Sequence, residues 1–432
     1  MHGPFRSASL AVAATTLFSL RLGAQETPAS DTLLARLTTE AIAANPSLDA
    51  RRAMARAATA RVRPAGALPD PMLSAGVMDL TLPRFAFRES DFTEVDVELS
   101  QEFPWPGTLG ARTGAARAQA RGSQAEVAAR RREVVVRTAE LYYRLRYVVT
   151  ARATLIRQRR LLATGVDIAT VRYASTTAPQ SDPLQARVAL ARLDTEEADL
   201  AAQETEFRAQ LKALRNIMGP DSLSIEPIRP EQVPRDPHPS EAASNEPEDS
   251  VGSDSLPEHP RLTARRAAIE ASEHTVRVEQ LGARPDFTII TRYGARPLGA
   301  DFFSAFIGVR VPLYAGRKQL RLADAARAEA EAARAGLAEE QAALSEEIRT
   351  VRAQIRSGAT RLRLLTDRVV PSAQATVDAT LRNYRVGQVQ FLTVLATEDA
   401  LYRAQLDAAR VAAEHLTHLI MLGQLLSPED AS

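Results

Sequence analysis

Apolar and polar residues alternate along two stretches near the start of the chain. Strict alternation over residues 92–103 predicts a β-strand with one apolar face and one solvated, largely acidic face. Residues 72–82 alternate more weakly, and we predict a partner strand there, joined to the first by a loop. The acidic positions include Glu94, Asp96 and Glu98, which alternate with Val95, Val97 and Leu99.

Two long stretches without proline follow a different pattern. Residues 109–171 and 317–370 are rich in alanine, arginine, glutamate and leucine, which favour helices. A helix over the first stretch would be about 90 Å long, wider than any compact domain. We therefore predict a rod or a tube. The abundance of alanine favours a closely packed tube wall over a coiled coil, which would favour leucine or isoleucine in its seam.

The second half of the chain repeats the first. Asn45-Pro46-Ser47-Leu48 is echoed by His259-Pro260-Arg261-Leu262, and each begins an Ala/Arg-rich segment with helical spacing. We predict a tandem duplication, with repeats over 25–219 and 258–426. The first repeat comprises a helix over 31–63, strands 72–82 and 92–103, helix 109–171 and helix 184–218; the second comprises a helix, strands 286–293 and 302–313, helix 317–370 and helix 391–426.

The remaining segments have distinct compositions. Residues 220–257 are rich in proline, serine and acidic side chains, and we predict an exposed or loosely ordered linker. Residues 427–432 form a short tail. Residues 1–24 place a positive charge before an apolar stretch and a small residue, the order of a secretory signal peptide. An uncleaved membrane anchor is disfavoured because the apolar run is shorter than the roughly 20 residues that a span needs.

Overall composition excludes several classes of function. The 432 residues carry a formal net charge of only +1, which argues against a nucleic-acid partner. The absence of cysteine excludes disulfides, thiolate metal ligands, a cysteine nucleophile and an N-terminal lipidated cysteine. No arrangement of residues predicts an enzyme or a cofactor. His415 and His418 share one helical face, but nothing completes a metal motif, and we expect surface histidines.

Four strands of this length are suited to crossing a bilayer but too few to close a barrel. Sheet edges are not tolerated in lipid, and bacterial barrels have at least about eight strands. Several chains would have to share one barrel, with the acids and Arg310 facing a wet lumen. A small sandwich with one solvated face fits the same alternation; the export signal and the long helices favour the shared barrel.

A set of motifs in a fixed order connects the chain to a known family. These motifs are Leu68-Pro69-Asp70-Pro71, Phe103-Pro104-Trp105-Pro106-Gly107, Val311-Pro312-Leu313-Tyr314-Ala315-Gly316 and Tyr384-Arg385-Val386-Gly387. Together with the duplicated hairpin-and-helix plan, they resemble the TolC-like outer-membrane efflux family, and the Pro-Trp-Pro-Gly form is similar to the branch found with heavy-metal exporters.

This resemblance implies a mixed α+β membrane protein in the outer membrane. Three chains would form a twelve-stranded β-barrel with an α-helical tunnel in the periplasm. The homotrimer would be a passive exit duct for a tripartite efflux system, docked to a periplasmic adaptor and an inner-membrane pump, with an RND-type pump expected. The alternative is that the chain is itself a periplasmic adaptor, although an adaptor would carry one helical hairpin rather than a duplication.

The resemblance also places functional residues at the turns that follow the long helices, where the family closes its tunnel. The family pattern is a tyrosine, a glycine, an aspartate six residues after the glycine and a leucine two further on. Asp182 could form a ring of carboxylates around a three-fold axis, or could cap the following helix. The tip positions are Tyr173, Thr176, Asp182 and Leu184 in the first repeat, and Tyr384, Gly387, Thr393 and Leu395 in the second.

Trp105 and Tyr314 lie at the ends of predicted strands. Aromatic rings are enriched at membrane–water interfaces, so these two residues could mark that boundary. They could equally pack at the junction between the barrel and the tunnel.

Overall fold

The computed structural model describes residues 31–80, 83–84, 86–88, 90–175, 179–234 and 258–427. The predicted signal peptide over 1–24 and the tip residue Thr176 lie outside the described residues. The described part consists of long helices and one four-stranded antiparallel sheet. No helix in it is both long enough and apolar enough to cross a membrane.

The four strands form one antiparallel sheet in sequence order, so the two hairpins are joined where β2 pairs with β3. β1 stops before residue 82 because Asp79 adopts a left-handed conformation with a φ of 54°. β4 ends at Arg310 rather than at the predicted residue 313, because Pro312 has no N–H group to donate to the ladder. The strands are β1 (Met72–Met78), β2 (Glu94–Phe103), β3 (Asp286–Ala295) and β4 (Phe302–Arg310).

The helices form an elongated body that extends from one end of the sheet. The longest has 67 residues and would be about 100 Å long at 1.5 Å per residue. The α-helices are α1 (Thr32–Ala44), α2 (Pro46–Ala65), α3 (Thr108–Ala174), α4 (Ser181–Leu214), α5 (Pro260–Leu281), α6 (Gln319–Leu364), α7 (Val370–Arg385) and α8 (Phe391–Leu426).

Equivalent residues cap equivalent helices in the two repeats. The Asn45 side chain accepts hydrogen bonds from the backbone N–H groups of Ser47 and Leu48 at the start of α2. The His259 ring nitrogen Nδ1 accepts from the Arg261 N–H at the start of α5, at 3.3 Å. Each cap satisfies donors that the first helical turn leaves free.

The second long helix differs from its predicted range of 317–370. It continues past Pro371 as α7 and ends at Arg385, and a π-helical turn over Leu365–Val369 lies between α6 and α7. Proline clashes with the carbonyl group four residues before it, and here that carbonyl belongs to the π turn. The wider turn therefore allows the helix to continue through a residue that normally ends it.

Part of the predicted linker is packed against the helices rather than exposed. Leu223, Ile228 and Val233 are buried in a core cluster with side chains of α1, α3 and α8. The Ile228 N–H donates to Thr150 Oγ on α3 at 2.8 Å, and Arg208 on α4 donates to the Leu223 carbonyl at 2.9 Å. Composition did not reveal this because the segment has few apolar residues and is held largely by hydrogen bonds to its backbone from the helices. Residues 235–257 lie outside the described part.

Candidate functional site

The sheet has one apolar face that the described part of the chain leaves uncovered. Alternation places these side chains on the same side of all four strands, in accordance with the register of the pairs. Phe303 and Ile307 are 70% and 76% exposed. An exposed apolar surface of this size marks a binding or membrane-contacting surface. Its other exposed members include Leu73, Val77, Val95, Val97, Leu99, Ile289 and Val309.

The opposite face carries the predicted acids, and arginines of the second repeat contact them. Arg292 on β3 lies between two of them, with Nε 3.6 Å from Asp96 Oδ2 and Nη2 3.1 Å from Glu98 Oε2. Arg296 Nε lies 3.5 Å from Glu94 Oε2. Glu94 and Asp96 are buried within this layer. The acids therefore form a row of ion pairs across the junction between the repeats.

Arg310 also lies on this face, as predicted for a residue of the polar side of β4. Its guanidinium makes a two-pronged contact with Glu102 on β2, at 2.7 Å and 3.2 Å. Sequence reasoning missed the partners Arg292 and Arg296. Arg292 occupies the polar phase of β3, but only the register places it opposite Glu98.

The junction between sheet and helices is built by the Pro-Trp-Pro-Gly segment. Trp105 stacks on Phe287 with ring centroids 5.9 Å apart, and the backbone N–H of Trp105 donates to Asp286 Oδ1 at 2.9 Å. Gly107 has a φ of 93°, which favours glycine, and α3 begins directly after it. Trp105 therefore packs at the junction, whereas Tyr314 is 74% exposed.

At the opposite end of the helical body, the tips of the two repeats contact each other. Tyr384 is buried, and its hydroxyl lies 3.4 Å from Asp182 Oδ2. The Arg172 guanidinium lies 4.6 Å from the Tyr384 ring centre and donates to the Tyr384 carbonyl at 2.7 Å. Burial, followed by the nearby Asp182 carboxylate, raises the pKa of Tyr384. Asp182 lies in the first turn of α4, with Gln180 at the N-cap position.

The other predicted tip residues that the structure describes lie in the turn or the helix ends next to this contact. Gly387 has a φ of 79°, which allows the tight turn between α7 and α8. Tyr173, the equivalent of Tyr384 in the first repeat, is exposed, as is Leu184. Thr393 is also exposed, and Leu395 is half-buried beside the core of the tip.

The histidine pair differs from the expectation of surface residues. His415 is buried, and its Nε2 lies 3.1 Å from the Pro234 carbonyl, so it fastens the packed segment to α8. Burial lowers the pKa values of both His415 and His418. Within the described residues, no three His, Asp or Glu side chains are grouped to hold a metal ion.

A sheet with one apolar and one ion-paired face, continuous with helices this long, defines a subunit of a membrane channel with a helical extension. Residues 37–219 and 251–427 match the outer membrane efflux protein family, and the chain belongs to it. It is an outer-membrane efflux channel subunit, a transport duct and not an enzyme. Members assemble as trimers and work with an adaptor and an inner-membrane pump.

Solved channels share the fold over nearly the whole chain. The channel CusC superposes with a TM-score of 0.80 at 14% identity, covering 92% of this chain and 93% of that one. The outer-membrane channel OprN gives 0.76 at 17% identity, with 92% and 90% covered. VceC from Vibrio cholerae gives 0.75 at 20% identity, with 92% and 97% covered. No curated protein sequence matches the chain significantly.

These findings confirm the TolC-like resemblance, the fold class and the outer-membrane location. They give no support to the alternative that the chain is a periplasmic adaptor.

Proposed function

We propose that three copies of this chain pool their sheets into one twelve-stranded barrel whose ion-paired face lines the lumen and whose apolar face contacts lipid. The observation that carries this proposal is the large apolar face that no described residue of the chain covers. In an outer-membrane protein, lipid is the surrounding that matches an exposed apolar face, and a spanning sheet must close into a barrel. The free edges of β1 and β4 supply the pairing surfaces between neighbouring chains.

Cysteine labelling tests which face meets water, because the natural chain contains no cysteine. Ser304 and Ala305 are adjacent on β4 and lie on opposite faces, with Ser304 opposite Arg292 and Ala305 opposite Thr291. Trimers of Ser304→Cys in planar bilayers should lose current when a charged, membrane-impermeant thiol reagent is added. Trimers of Ala305→Cys should keep their current. The reverse result would overturn the assignment of the two faces.

The contact between the tips is proposed as the latch of the periplasmic entrance. Its support is the buried Tyr384 hydroxyl, which joins α7 to Asp182 on α4 within one chain. Asp182 is buried and accepts a hydrogen bond from Tyr384, so a role in this latch fits its position better than a role in an exposed ring of carboxylates. Tyr384→Phe removes only the hydroxyl, and we expect a higher single-channel conductance and more frequent open events. One hydrogen bond of about 1 kcal/mol corresponds to about fivefold in the open-to-closed ratio.

The chain provides a matched control for this experiment. Tyr173→Phe changes the equivalent residue of the first repeat, which is exposed, and should leave conductance unchanged. Asp182→Asn should open the channel as Tyr384→Phe does and leave its cation selectivity unchanged. A channel that loses cation selectivity in Asp182→Asn but stays closed supports the carboxylate ring and contradicts the latch.

The partner pump is proposed to be of the RND type, which is what the resemblance to the heavy-metal-exporter branch implies. A cell lacking this chain should become sensitive to the same compounds as a cell lacking its RND pump. Affinity purification of the intact trimer after cross-linking in cells should recover an adaptor and an RND pump. Recovery of a transporter of another type with the adaptor would contradict this part of the proposal.

A further inference from the structure

Three arginines from the second repeat contact the four acidic side chains of β2. Arg296 contacts Glu94, and Arg292 contacts both Asp96 and Glu98. All of these pairs span the junction between β2 and β3, so each joins the two halves of the duplication. The sequence alone predicted the acids and Arg310 on this face, but not Arg292 or Arg296.

The fourth acid, Glu102, is contacted by Arg310 from β4, which is not the strand next to it. In register, Glu102 lies opposite Thr288, and Thr288 lies opposite Gly308. Neighbouring strands are about 4.8 Å apart, so the side chain of Arg310 on β4 spans about 10 Å across β3 to reach β2. Gly308 leaves room beside this path, and the two-pronged geometry fixes the guanidinium against the carboxylate.

The arginines change the charge of this face. Four carboxylates and three guanidinium groups leave one net negative charge per chain in this row, or three per trimer, instead of the twelve that the acids alone would contribute. Fixed charge along a narrow aqueous passage sets its preference between cations and anions. Opposite charges in contact cancel for an ion that passes at a distance, because the field of a pair decays faster than that of a single charge.

We propose that Arg292, Arg296 and Arg310 set the ion selectivity of the barrel by neutralising the acid row. The passage then discriminates only weakly between anionic and cationic cargo. This inference rests on the proposed assignment of the ion-paired face to the lumen. An efflux duct that must pass cargo of either sign benefits from such a wall, because its polar surface stays wet without strongly trapping counterions.

Reversal potentials in planar bilayers under a salt gradient test the inference, measured at about 10 mM salt, where the Debye length is about 30 Å. Arg310→Gln leaves two net negative charges per chain in the row. At low salt, the cation concentration in the passage rises in proportion to its net negative charge, and the anion concentration falls in inverse proportion. Doubling that charge should therefore raise the cation-to-anion permeability ratio up to about fourfold. Glu102→Gln leaves no net charge in the row, so the ratio should fall towards one.

Two further variants separate charge from folding. The double variant Arg310→Gln/Glu102→Gln restores one net negative charge per chain and should return to the wild-type ratio. Arg310→Lys keeps the charge but loses the two-pronged contact, and should also keep the wild-type ratio. If the arginine acts only as a structural clamp, Arg310→Lys and Arg310→Gln would both lower the Tm of the trimer, and neither would shift the reversal potential.

The outcomes separate this inference from the proposal beneath it. If Ser304→Cys is labelled from the lumen and the charge variants leave the reversal potential unchanged, the barrel assignment stands and the selectivity inference is overturned. If Ala305→Cys is the labelled position, the face assignment fails and the inference falls with it.

Discussion

Glu398 on α8 is a buried carboxyl group whose environment opposes its charge. Its side chain is 2% exposed, and its Oε2 atom has no hydrogen-bond partner among the described residues. Val394, Leu401 and Tyr402, three or four residues away along the helix, are buried too, so Glu398 belongs to the apolar face of α8. Loss of hydration on burial raises its pKa from 4.5 to about 7.

This shift makes the stability of the helical body depend on pH. Below pH 4.5 the carboxyl is protonated in both folded and unfolded chains, so its ionisation does not change the free energy of unfolding. As the pH rises towards 7, the unfolded chain gains the free energy of ionisation while the folded chain keeps its proton, so the folded state is progressively destabilised. A difference of about 2.5 pKa units corresponds to about 3 kcal/mol per chain, fully present above pH 8.

Glu398→Gln removes the ionisation while nearly preserving the shape of the side chain. Unfolding entropy of about 2.1 cal/mol/K per residue gives about 0.9 kcal/mol/K for a chain of this length, so 3 kcal/mol corresponds to about 3 °C in Tm. Relative to wild type, the Tm of Glu398→Gln trimers should therefore rise by about 3 °C between pH 4.5 and pH 8. Circular dichroism of the detergent-solubilised trimer at a fixed scan rate measures this difference.

The neighbouring residue provides the control. Asp399 is exposed and paired with Arg403, so Asp399→Asn should change Tm by a nearly constant amount across this pH range. A difference between Glu398→Gln and wild type that stays constant within 1 °C from pH 4.5 to pH 8 would show that Glu398 ionises normally and would refute the reasoning.

Two further predictions concern charged groups in the helical body. Burial, with two nearby arginines, lowers the pKa of the cap residue His259 to about 4, so this residue should make stability fall as the pH drops from 6.5 towards 4. His259→Asn, which keeps a capping group, should remove this part of the loss in acid-melting experiments and leave the part that comes from His415 and His418. Arg215 is buried and pairs with Glu40 and Asp221. Arg215→Met should cost about 3 kcal/mol because it leaves the largely buried Asp221 carboxylate without this partner, while Glu40 keeps Arg36. Arg36→Met, at the exposed pair with the same Glu40, should cost under about 1 kcal/mol by denaturant titration.

Local sequence rules predicted the elements because each depends on neighbouring residues. Strict alternation located β2 to within two residues at its start, and the proline-free stretch located α3 to within three at its end. The same rules failed at Pro371, where they predict a stop. The π-helical turn over Leu365–Val369 accommodates this proline, and the presence of a proline does not by itself predict such a turn.

The tip shows how far the candidate site could be predicted. The order of motifs indicated Asp182 and Tyr384 as tip residues, but they are separated by 202 positions in the chain. Their contact depends on α4 and α7 being brought together by the packing of α3 and α8. Arg172, which completes the contact, carried no signal in the sequence because it is one of many arginines on long helices.

The period of each segment, the duplication and the acid row on one side of a strand could all be predicted from the sequence, since these follow from spacing along a single chain. The charges that oppose that row became known from the folded sheet. Arginines and acids from different repeats meet through strand register, and register is set by the pairing of whole strands rather than by any local pattern. The net charge that a passing ion would meet is therefore a property of the folded sheet.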